Sequence, residues 1–161
     1  SEETAVGEHA VEAVRVMDRV ARVAERDLPY DDWLWQRVEE GDDVAETVAQ
    51  VTVAATYRLN LAAIVVPTGS GRTARLVSSH RPRVPVLAVS HRYETVRRVN
   101  LLFGVRAVHS PQWESLRQLL DDCALLARDA GYASSGDLIA VTAGLPSEEL
   151  GTNLFEVHRV P

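Results

Sequence analysis

The chain has 161 residues, is 46% hydrophobic, and carries 17 basic against 23 acidic residues for a net charge of −6. That is enough for one substantial core, and the negative balance argues against a general nucleic-acid binder. No lysine occurs, so no side chain can form a Schiff base, and Cys123 is the single cysteine, which excludes disulfide frameworks and cysteine metal sites.

Residues 1–7 are short and polar. Across 8–26, Val11, Val14, Met17, Ala21 and Ala24 recur at helical spacing, and Val16, Val20 and Val23 widen the stripe. The pattern predicts a helix made to pack against something large, ended by Pro29. Residues 28–43 are irregular and acidic and read as a linker, with a short helix over 31–39 capped by Asp31 or Asp32 and anchored by Trp33 and Trp35. A second long helix, 44–59, leads into an apolar strand at 62–67.

From there the rhythm is regular. A helix over 71–80 is stopped by Pro82, and 84–89 is a second strand. Ser90 caps a helix over 92–103 that Gly104 closes, and 105–109 is a third strand. Pro111 opens a longer helix, 112–132, and Gly136 and Asp137 turn into a fourth strand, 138–142. The loop 143–152 precedes a last strand, 153–160. Strands separated by helices mean βαβ units with right-handed crossovers, so a three-layer α/β domain with an open five-stranded sheet is expected. Its order is expected to be 3-2-1-4-5, mostly parallel, with the last strand an antiparallel edge because no helix precedes it. The helix at 8–26 lies outside this core. No apolar run is long enough for a bilayer and no signal peptide is seen, so the expectation is a cytoplasmic chain without a membrane partner.

The stretch at 62–75 is the chemically informative one. Thr68, Gly69, Ser70, Gly71, Arg72 and Thr73 place hydroxyls, two glycines and a guanidinium where a helix exposes its free N–H groups. Such a turn can wrap an anion. It also fits a plain strand-to-helix connection, and it lacks the spacing and lysine of a Walker loop. At the expected switch point it meets the loop holding Gly144, Gly151 and Thr152. Arginines 72, 75, 81, 83, 92, 97, 98 and 106 face only one acid, Glu94, between 68 and 110, which suits phosphorylated small molecules. The five histidines show no metal-like spacing, so no metal site is expected. The arginine face has no interleaved aromatics, which disfavours nucleic acid.

Thr68-Gly69-Ser70-Gly71-Arg72-Thr73-Ala74-Arg75, residues 79–85, Thr95-Val96-Arg97-Arg98, Gly104-Val105, Gly136-Asp137, Thr142-Ala143-Gly144-Leu145-Pro146 and Gly151-Thr152-Asn153-Leu154 resemble, in order, the C-terminal domain of pyruvate kinase. Residues 1–7 with Val11-Glu12-Ala13-Val14 look like the end and last helix of that family's (β/α)8 catalytic barrel. The resemblance thus divides the chain into a barrel remnant at 1–27, a linker at 28–43 and the C-terminal α/β domain at 44–161. It implies a domain cut from a longer enzyme, or the product of a gene that lost its barrel. In the family the barrel binds Mg and K and holds the catalytic lysine, so this chain is expected to have no cofactor or catalytic residue of its own.

The resemblance implies a regulatory domain that binds a phosphorylated effector and helps to build a homo-oligomer. The family's phosphate loop falls on Thr68, Ser70, Gly71, Arg72 and Thr73, and the loop 144–152 could close over the ligand, although Glu148 and Glu149 would repel a second phosphate. Members that respond to sugar bisphosphates use a Trp and a basic residue before the fourth strand. Trp113 and Arg117 lie near those places, while counting back from Gly136 puts Gln112 and Leu119 there. A monophosphate effector, or none, fits better than a bisphosphate. The rival reading is a structural subunit-interface module with no effector. Glu2 stands where the family usually has Gly or Ala, and His9-Ala10 replaces its aromatic-Pro.

Overall fold

The structure, a computed structural model, describes residues 2–36, 43–144 and 151–161. It forms two compact units, Ser1–Asp32 and Trp33–Pro161. In the first, the short helix α1 (Glu2–Val6) occupies the stretch expected to be merely polar, with Glu2 and Glu3 in its first turn, where the helix dipole favours carboxylates. The Glu3 carboxylate then accepts the His9 N–H at 2.8 Å and turns the chain into α2 (Ala10–Arg26). Asp18 accepts from Arg22 one turn on, at 2.9 Å, and this hydrogen bond holds its carboxyl below the ordinary carboxylate range. The apolar stripe of α2 is exposed, with Val11, Val14, Met17, Val20 and Val23 each more than half accessible.

Helix α3 (Tyr30–Gln36) starts one residue before Asp31, so Asp31 and Asp32 fall inside it rather than capping it. In the second unit Leu34 is fully buried and Trp33 half-buried, while the side chain of Trp35, the other expected anchor, lies outside what is described. The expected extension of the helix to 39 lies outside the described residues. Helix α4 (Val44–Arg58) is capped by Asp43, whose carboxylate accepts the Ala45 N–H at 2.9 Å. Its Ala-rich inner face, Ala45, Ala49 and Val53, lets it lie close to the sheet.

The remaining elements are β1 (Ala63–Pro67), α5 (Arg72–Ser79), β2 (Val86–Ser90), α6 (Tyr93–Val99), β3 (Val105–His109), α7 (Leu116–Asp129), β4 (Leu138–Ala143) and β5 (Leu154–Arg159). The sheet order is β3-β2-β1-β4-β5, with β4 and β5 antiparallel and the other pairs parallel. All five residues of β1 and of β2 are buried. The reason is visible in how alternate side chains divide. Ile64, Val66, Val86 and Ala88 pack with Ala49, Val53, Ala74, Val77 and Val99 of α4, α5 and α6. Ala63, Val65, Leu87 and Val89 pack with Leu120, Cys123, Ala124 and Ala127 of α7. With both faces covered, the strands need no polar alternation.

Several boundaries move. Ser90 ends β2 instead of capping α6. Arg92 holds the cap position, and the Ser90 hydroxyl accepts its N–H at 3.2 Å. Helix α6 stops at Val99, with Asn100 as C-cap. Helix α7 begins after Ser115, whose hydroxyl accepts the Gln118 N–H at 3.2 Å while the Gln118 amide oxygen accepts the Glu114 N–H, so Pro111 lies in the preceding loop. Burial pushes the Cys123 thiol up to about 12. Among the described residues no helix is long and apolar enough to cross a membrane.

Candidate functional site

The turn from β1 to α5 is fixed from several sides. Gly71 sits at φ +84°, and a Cβ there would come within 2.7 Å of Val99 Cγ1, so only glycine lets α6 pack against the turn. The Thr68 hydroxyl accepts the Gly71 N–H at 2.9 Å, and the Thr95 hydroxyl of α6 donates to the Gly69 carbonyl at 2.8 Å. Arg98, also on α6, donates to the Ser70 carbonyl. Together these contacts fix the turn against α6. The Arg72 N–H meets the Ser70 hydroxyl only at 3.4 Å, and the N–H groups of Thr73 and Ala74, in the first turn of α5, find no acceptor among the described residues. Unpaired donors at a helix start make an anion-binding cradle.

The second loop meets the first. Gly144 approaches Gly151 so closely that a Cβ on Gly144 would lie 2.4 Å from the Gly151 carbonyl oxygen. The Thr73 and Thr152 hydroxyls, both buried, are 2.7 Å apart and hydrogen-bonded. A cavity of about 250 Å³ results, lined by Thr68, Gly69, Ser70, Arg72 and Thr73 on one side and Gly144, Gly151 and Thr152 on the other. The expected loop residues thus come together beyond the carboxyl ends of β1 and β4. Glu148 and Glu149 lie outside the described residues. Arg72 is already engaged, because its Nη2 donates to Asp43, the cap of α4, at 3.1 Å.

Trp113 and Arg117 separate. Trp113 is half-buried, donates its ring N–H to Asp122 at 3.0 Å, and lines an adjoining hollow of about 300 Å³ with Gln112 and Leu119. That hollow shares Pro67, Thr68, Gly69 and Gly144 with the loop cavity. Arg117 is 94% exposed, lies 3.9 Å from Asp121 and lines neither. Sequence reasoning missed Asp43, Thr95 and Arg98 as supports of the loop. Asp43 carries an N-cap signal, but nothing local assigns it to Arg72. Among the described residues there is no group of three or more His, Cys, Asp or Glu that could hold a metal ion.

The chain matches the family described as "Pyruvate kinase, alpha/beta domain" over residues 46–158. It is similar to the pyruvate kinase of Geobacillus stearothermophilus, 37% identical over 98% of this chain and 27% of that protein. The pyruvate kinase of Clostridium acetobutylicum is 35% identical over 99% of this chain and 34% of its own length. Among solved structures, a pyruvate kinase from Cryptosporidium parvum superposes with a TM-score of 0.88 and 27% identity, covering 100% of this chain and 32% of that one. The chain therefore spans about a quarter to a third of the length of these relatives. With its sheet order, its β1–α5 turn and these matches in agreement, the chain belongs to the pyruvate kinase family, as its C-terminal alpha/beta domain.

Proposed function

We propose that this chain is the regulatory part of a pyruvate kinase and that its β1–α5 loop binds a small phosphate monoester as an allosteric effector. The observation that carries the reading is the convergence of Thr68–Thr73 with Gly151 and Thr152 on one cavity, with the Thr73 and Ala74 N–H groups of α5 finding no acceptor among the described residues. One phosphate suits those donors: the N–H groups and hydroxyls take its oxygens, and Arg72 adds a charge-assisted bond once it leaves Asp43. The second hollow offers Trp113, Leu116 and Leu119 and, among the described residues, no Arg, which favours a monophosphate over a bisphosphate. In this reading the parent enzyme transfers phosphate from phosphoenolpyruvate to ADP in glycolysis in the cytoplasm, the barrel performs that chemistry with its metals, and this chain alone is inactive.

A second reading, a subunit-interface module with an empty loop, is favoured by two contacts. Arg72 is paired with Asp43, and the Thr73 and Thr152 hydroxyls satisfy each other. Self-association would use the outer edge of β5, which pairs with β4 on one side. The two readings part in a thermal-shift titration of the chain with ribose 5-phosphate, glucose 6-phosphate, fructose 1,6-bisphosphate, AMP and inorganic phosphate, with Arg72→Ala in parallel. The effector reading requires a saturable rise in melting temperature that takes severalfold more ligand in Arg72→Ala. A folded chain that responds to none of them is the interface module.

A further inference from the structure

Arg75 and Arg98 remain once the phosphate loop is described. With Arg72 they line a groove of about 390 Å³ between α5 and α6, whose other walls include Ser70, Val99 and Leu102. Among the described residues no carboxylate lines it. Arg98 is aimed by its bond to the Ser70 carbonyl, and the exposed Arg75 has no side-chain acceptor among the described residues. Gathering three guanidinium groups costs like-charge repulsion; Asp43 pairs with Arg72 from outside the groove, and among the described residues Arg75 and Arg98 have no carboxylate partner. The apolar floor of Val99 and Leu102 strengthens the field that an entering anion meets, and planar guanidinium forks match the oxygens of a phosphate.

We propose that this groove is a second anion site, which takes a multiply charged phosphate compound of pyrophosphate type and is distinct from the loop cavity although both border Ser70 and Arg72. It stands on the arginine cluster and does not require that the loop hold an effector. A pyrophosphate group spans the guanidinium groups, whereas a single phosphate in the loop cavity engages N–H donors of the helix start. Because Arg72 borders both, occupancy of one site alters affinity at the other.

The test is NMR of the full chain titrated with pyrophosphate, following the arginine Nε–Hε signals and the backbone amides, in about 0.15 M salt so that diffuse attraction is screened. Saturable shifts of Arg75 and Arg98 are expected. Arg75→Gln, a solvent-facing change, should weaken them by about five-fold or more, as loss of a charge-assisted contact to phosphate implies. Thr73→Val with Thr152→Val should change the groove affinity by less than about two-fold, since neither residue lines it. The proposal is overturned if the Arg75 and Arg98 signals drift without saturating, or if Arg75→Gln binds as tightly as the unaltered chain. Movement of the Thr73 and Ala74 amides alone would assign pyrophosphate to the loop and remove the groove site. Groove shifts that saturate while those amides stay still would keep the groove site and count against the loop reading.

Discussion

Replacing Gly71 with alanine separates two physical terms at the phosphate loop. The first is conformational: Gly71 has φ +84°, and an L-residue in the left-handed region costs about 1–2 kcal/mol. The second is steric: the new Cβ would stand 2.7 Å from Val99 Cγ1, on a side chain that is 3% exposed. Overpacking of that kind costs about 1–3 kcal/mol. The sum, about 2–5 kcal/mol, is a large share of an ordinary domain's stability and corresponds to a melting-temperature loss of roughly 5–15 °C at this size. Gly104→Ala isolates the first term, because Gly104 has φ +66° with nothing within 4 Å of its Cβ direction. Gly69→Ala is the blank, as its nearest neighbour would be His91 Cε1 at 3.7 Å. Urea unfolding of the three variants should rank Gly71→Ala as the worst, then Gly104→Ala, then Gly69→Ala. In a Val99→Ala background the cost of Gly71→Ala should shrink to that of Gly104→Ala. If Gly71→Ala costs no more than Gly104→Ala, or the same with and without Val99, the packing of α6 against the loop is not what demands glycine.

Asp43→Asn should keep the cap on α4 yet release Arg72, changing stability by less than about 1 kcal/mol because the pair is more than half exposed, and should tighten anion binding in a phosphate titration. Asp43→Ala should lose about 1 kcal/mol more, the ordinary value of a cap. Thr73→Val and Thr152→Val should each cost about 1–2 kcal/mol, and the double variant little more than either, since the first change already breaks the buried hydroxyl pair; additive losses in denaturation would contradict that pairing. Cys123 should resist thiol reagents in the folded chain and react on unfolding. Burial raises its folded-state value to about 12 from 9.0, so the unfolded chain loses this proton first as pH rises. Its contribution to stability should therefore fall by about 1.4 kcal/mol per pH unit from 9 towards 12, and the slope should be absent in Cys123→Ala.

The sheet was legible because its central strands are covered on both faces, so β1 and β2 are uninterrupted apolar runs and the helices between them set a parallel winding. Helix ends were less legible where hydrogen bonds decide them. Ser115 and Gln118 start α7 several residues after Pro111, and Asn100 rather than Gly104 closes α6. At the site, the residue types at 68–73 announce a turn that can hold an anion, and the winding rule brings residues 151 and 152 opposite. What local sequence could not carry is the support from distant elements: Asp43 on Arg72 across 29 positions, Thr95 on Gly69 across 26 and Arg98 on Ser70 across 28. Those pairings exist only after α4 and α6 have docked.

A phosphate monoester in the loop would meet two amides above all, those of Thr73 and Ala74. In a titration of the chain with ribose 5-phosphate followed by amide NMR, both should shift downfield and saturate together, with Arg72→Ala weakening the binding severalfold. If both amides hold their positions up to millimolar ligand in a folded chain, the loop does not take a phosphate monoester and the account of its function fails.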